Sequence, residues 1–70
     1  MELKLVFYAE GYTGAQSLTL GDLVDWAPNK GESIIFLWKG KRVMGNVHHI
    51  TIDYSENLYI AYVDPVEEIG

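Results

Sequence analysis

From Val43 to Tyr54 the apolar residues change parity: Val43 and Val47 stand at odd positions, Ile50, Ile52 and Tyr54 at even ones. Side chains alternate across a strand with a period of two. An extended chain through this stretch must therefore either turn its inward face over or take in one extra residue as a bulge. The break falls at His48 and His49, and Gly45 just upstream lacks the side chain that would obstruct a sharp bend. A long strand that bends and serves two sheets is how a small barrel turns its corner. The spacing predicts that strand pairing is interrupted across Val47 to His49. It reads the histidine pair as a bend rather than a metal site, because zinc sites usually draw on three or four protein ligands and no third is spaced nearby.

The segments on either side share the extended pattern. In ELKLVFYAE, Leu3, Leu5, Phe7 and Ala9 point one way and Glu2, Lys4, Tyr8 and Glu10 the other, giving a strand with one face in a core. Gln16 to Leu18 forms a second short extended piece. ESIIFLW and NLYIAYV are apolar on both faces, which predicts strands that are central or covered. WKGKR between the third and fourth strands is a tight hairpin, with Gly40 supplying a positive φ, and Pro65 ends the last strand. The period changes in TLGDLVDWAP: Leu20, Leu23, Val24 and Ala27 fall at i, i+3, i+4 and i+7, the stripe of a short helix over Leu20 to Ala27. Thr19 is its N-cap, Asp22 lies in its first turn, and Pro28 stops it.

The 70 residues form one β-rich domain, 1–70, and with 49% apolar and 13% aromatic residues they supply a packed core. The longest apolar runs fall far short of the ~20 residues of a membrane helix, so a soluble, cytoplasmic protein without membrane contact is expected. The absence of cysteine accords with a reducing compartment. No cofactor and no metal is expected. The chain carries no cysteine nucleophile, no glycine-framed serine and no phosphate-cradling loop, so it is read as a non-enzyme.

The net charge of −5 repels a phosphate backbone at long range. Two surface sets nevertheless stand out. Trp26 lies off the helical stripe and, with Tyr8, Tyr12, Tyr59, Asp22 and Asp25, is the candidate surface for a larger protein partner, since tryptophan and tyrosine are enriched where interfaces concentrate their energy. Trp38, Lys39, Lys41 and Arg42 gather charge for phosphate and a ring for a base, the ingredients of a single-stranded nucleic-acid contact.

From WKGKRVMGNV through NLYIAYVD the layout is a tryptophan, a tight basic turn, a glycine-bent strand, a further turn and an aromatic strand ending in Asp64. Over about half the chain this resembles, in outline, the small SH3-like barrels, Tudor-type modules among them. The expected fold is thus mainly β (α+β): four or five antiparallel strands in a small, partly open, SH3-like barrel with one short helix. The leading functional expectation is a non-catalytic protein-binding module, a small acidic regulator or inhibitor of the kind phages and mobile elements direct at host machinery. The second is a nucleic-acid-binding barrel using Lys39 to Arg42. The third is a homo-oligomer joined through an edge strand such as Glu2 to Glu10.

Overall fold

The computed structural model describes residues 1–70 apart from Val24, Pro65 and Gly70. Among the described residues six strands follow one another: β1 (Glu2–Phe7), β2 (Gln16–Asp22), β3 (Ser33–Trp38), β4 (Lys41–Asp53), β5 (Leu58–Val63) and the two-residue β6 (Glu67–Glu68). They form one curled sheet in the order β2-β1-β5-β4-β3, and β6 pairs with β4. The result is the expected small, partly open barrel. Four of the five strand pairings are antiparallel, whereas β1 and β5 run parallel, with Glu2 opposite Leu58 and Phe7 opposite Val63.

The alternation in β1 does what its pattern predicts. Leu3, Leu5 and Phe7 are buried on the concave face with Phe36, Val43, Val47, Ala61 and Val63, and Ala9 packs against this cluster. Phe7 meets Phe36 with ring centroids 5.2 Å apart. Truncating a buried phenylalanine of this kind costs about 3–5 kcal/mol, so these two rings anchor the sheet's curvature.

The parity break in β4 is a bulge. Val47 pairs with Val63 and His49 pairs with Tyr62, leaving His48 as the extra residue. The concave face is kept through the break: Val43, Gly45 and Val47 are buried before it, and Ile50 packs on the core after it. Before the bulge β4 pairs with β3, after it with β5, so one strand serves two parts of the sheet as expected. At the same corner the Gly31 N–H donates to the Val47 carbonyl at 2.7 Å, and the Val47 N–H donates to the Glu32 carbonyl at 2.9 Å. Two residues thus oppose one, with Gly31 at φ +94°, the arrangement of a glycine-led bulge.

Three expectations are corrected. The short helix over Leu20 to Ala27 is absent among the described residues: Thr19 pairs with Lys4 and Asp22 with Glu2 inside β2, so neither is a helix cap. Leu3 pairs with Gly21 but Lys4 with Thr19, so Leu20 is an extra residue, and Gly21 takes φ +104°, which a right-handed helix excludes. A two-turn helix containing glycine has too little stability of its own to compete with a sheet edge. Val24 of the proposed stripe and Pro65 of the proposed strand end lie outside the described residues. The second correction concerns β3, which is neither central nor covered but ends the sheet, with Ile35 and Leu37 52% and 65% exposed. The third concerns β1: lying between β2 and β5, it offers no free edge for self-pairing.

Candidate functional site

The β3–β4 hairpin closes with two residues in the left-handed region, Lys39 at φ 51° and Gly40 at φ 78°. This is the primed turn whose twist matches that of the strands, and Trp38 and Lys41 flank it as a pair. The turn fixes where the side chains at the tip go. Trp38 faces the concave side, where Phe7 meets its ring edge-on with centroids 5.3 Å apart. Above it Tyr12 packs edge-on at 4.8 Å. Tyr12 is brought there by a turn in which its N–H donates to the Ala9 carbonyl at 3.2 Å, with Gly11 at φ +85°. The Lys39 ammonium then lies 5.5 Å from the Trp38 ring centroid and 5.6 Å from that of Tyr12, within cation–π range of both. A continuous aromatic path therefore runs from the core to the surface.

Beside this path opens a pocket of about 260 Å³. Ala9, Val43 and Val66 supply its apolar floor, and Tyr12 and Trp38 an aromatic wall. Lys39 and Lys41 face Glu10 and Glu68 around its rim. The Lys41 ammonium pairs with the Glu68 carboxylate at 3.4 Å, on the surface, where such a pair is worth about 0–1 kcal/mol. It orients more than it stabilises. β6 sets Glu68 in place, pairing it with Val43, and the Ile69 N–H donates to the Arg42 carbonyl at 2.9 Å.

No protein-family model, curated protein or solved structure matches this chain.

The pocket unites parts of both sequence-derived sets and divides each. Of the nucleic-acid set, Trp38, Lys39 and Lys41 line it, but Arg42 lies on the opposite, convex face, paired across the strands with Leu37. Of the protein-partner set, only Tyr12 lines it. Tyr8 is exposed at the end of β1, and Trp26, 60% exposed, lies with exposed Asp25 in the segment after β2, which ends at exposed Asp22. Tyr59 is an internal tether: its half-buried hydroxyl donates to the Pro28 carbonyl at 2.5 Å and holds the β2–β3 connection against the sheet. The histidines are surface groups at the bulge. His48 Nε2 lies 3.8 Å from the Asp64 carboxylate, the His49 ring 5.5 Å from that of Tyr62, and no cluster of three metal-ligating side chains occurs among the described residues.

Sequence reasoning missed Ala9, Glu10, Val43, Val66 and Glu68 as pocket residues. For Val43 the inward parity of β4 was a usable signal. For Glu68 there was none, because a two-residue strand in an acidic tail has the composition of a solvated end.

Proposed function

We propose that the protein is a non-catalytic protein-binding module, a small acidic regulator or inhibitor that docks on a larger protein through the hairpin-tip pocket. The observation that supports this reading is the make-up of that pocket: an apolar floor and aromatic wall inside a rim carrying both signs of charge. An apolar or aromatic side chain of the partner enters beside Tyr12 and Trp38, and a neighbouring lysine or arginine meets Glu10. A single-stranded nucleic acid fits less well. The carboxylates repel phosphate, Lys41 is paired with Glu68, and the Lys39 ammonium occupies ring faces on which a base would stack. Exposed Tyr8 adjoins Ala9 at the pocket end of β1, whereas Asp22 pairs with Glu2 at the far end, so Asp22 and the Asp25 and Trp26 that follow it are not part of this docking surface. The cytoplasm suits a module without cysteine.

The test is a random-peptide display selection on the immobilised protein, followed by amide NMR titration with the selected peptide. A mixed-sequence single-stranded oligonucleotide is titrated in parallel at low and physiological salt. Selected peptides should pair an apolar or aromatic residue with a basic one, shift the amides of Ala9, Tyr12, Trp38 and Val43, and lose binding in Tyr12→Ala. Selections indifferent to Tyr12→Ala, or shifts produced only by the oligonucleotide and fading with salt, would overturn the reading.

A further inference from the structure

The two ends of the sheet are built differently. β2 is interrupted by the extra residue Leu20 with Gly21 at φ +104° and carries Asp22, devices that keep a sheet edge from pairing with another chain. β3, SIIFLW, has no charge, no proline and no register shift against β4 over Ser33–Trp38. Its convex side shows Ile35 and Leu37, 52% and 65% exposed, next to Met44, the cross-strand partner of Ile35.

Hydrogen-bonded and open pairs alternate along an antiparallel hairpin, and the residues flanking a two-residue loop form a bonded pair. Trp38, Phe36 and Ile34 are thus joined to β4, while Ser33, Ile35 and Leu37 turn their N–H and C=O groups to the free edge. Two of these three residues, Ile35 and Leu37, thus carry outward backbone groups and outward apolar side chains together.

We propose that this edge pairs with β3 of a second copy, antiparallel and two-fold symmetric about Phe36. Ile35 then stands opposite Leu37 of the copy in a hydrogen-bonded pair, twice over, and two apolar side chains on each chain gain a cross-strand neighbour. The charges nearest the strand's ends fit the same occupant. Pairing two-fold about Phe36 sets Ser33 of each copy opposite Lys39 of the other, which brings Glu32 of each copy next to Lys39 of the other, with Lys30 two residues further out. On the concave side the pairing places the copy's Ile34 beside Trp38, extending the wall of the pocket. The inference goes beyond the docking role and is tested separately from it.

The experiment is sedimentation equilibrium of the full chain over a dilution series, with amide hydrogen exchange at both ends of that series. The expected result is a reversible species of twice the 7.9-kDa chain mass, with the Ile35 and Leu37 amides protected at high but not low concentration. Leu37→Lys should weaken association at least about tenfold. Ile35→Pro, which removes an outward-facing donor together with the outward isoleucine side chain and takes no bond from the β4 ladder, should do the same. Circular dichroism of both variants separates loss of pairing from loss of folding. A strictly monomeric chain at millimolar concentration would overturn the proposal. So would a dimer whose Ile35 and Leu37 amides exchange freely, or one that survives both substitutions in folded protein.

Discussion

A β-carbon added to Gly45 would overlap the Cγ1 methyl of Val63 and stand 2.9 Å from the Asp64 carbonyl oxygen. Here β4 is handed from β3 to β5, and the end of β5 is pressed onto the glycine. Val63 is 2% exposed and belongs to the core, so it has little room to yield. Gly45→Ala should therefore lower stability by about 1–3 kcal/mol through overpacking. A urea titration with an unchanged m-value checks it, and an unshifted midpoint would show that the corner is loose.

The Tyr59 hydroxyl ties the β2–β3 connection to the sheet through the Pro28 carbonyl. Tyr59→Phe removes the donor and keeps the ring, at a cost of about 0.5–1.5 kcal/mol. Amide exchange should accelerate from Leu23 to Asn29 before it does in β3. Binding at the hairpin-tip pocket should not change, because Tyr59 does not line it.

Asp53 closes the β4–β5 turn. Its carboxylate accepts from the Ser55 hydroxyl at 2.6 Å, the Ser55 N–H at 3.0 Å and the Glu56 N–H at 3.1 Å. The Ser55 hydroxyl is the largest cause holding the Asp53 pKa below its ordinary 3.8, ahead of the Glu56 amide. A carboxylate depressed in the folded state adds stability that is complete above its unfolded pKa and is lost as pH falls through the lower folded value. Ser55→Ala should move the Asp53 pKa up toward 3.8 in a carboxyl NMR titration. It should also diminish the acid-sensitive part of stability in that window. An unmoved titration would mean the hydroxyl bond does not persist in solution.

Two breaks in period-two alternation stand in the sequence, and they carry opposite local signals. At His48 the flanking residues are β-branched and apolar on both sides, so an extended chain with one extra residue was the natural reading, and the register bears it out. At Leu20 the same event, one extra residue in β2, left Leu20, Leu23, Val24 and Ala27 at helical spacing by coincidence. Gly21, which weakens a helix, is the residue that permits the bulge. Two apolar faces in β3 suggested cover, since residue type cannot tell a covered strand from an edge awaiting a partner. The pocket was half legible: Trp38, Lys39 and Lys41 are adjacent in sequence, whereas Tyr12 and Glu68 arrive through long-range placement that no local pattern encodes.

The Lys39 ammonium over the Tyr12 and Trp38 rings makes a prediction about how far the pocket is preorganised. Lys39 holds a left-handed backbone conformation that is uncommon outside glycine and asparagine, so the turn commits its side chain to this side of the hairpin. A cation–π contact at an exposed site contributes about 0.5–1 kcal/mol. Lys39→Met keeps an unbranched side chain one atom shorter and the same backbone demand while removing the charge, and Tyr12→Leu keeps apolar bulk while removing the ring. In a double-mutant cycle the pair should couple by about 0.5 kcal/mol. Performed in a Trp26→Phe background, the cycle also lets Trp38 fluorescence report the ring's environment, with a red shift expected when Tyr12 is replaced and a smaller change when Lys39 is. Additive stabilities with an unchanged Trp38 spectrum would mean that the three side chains do not form one wall in solution, and the pocket would then be assembled only by the partner that enters it.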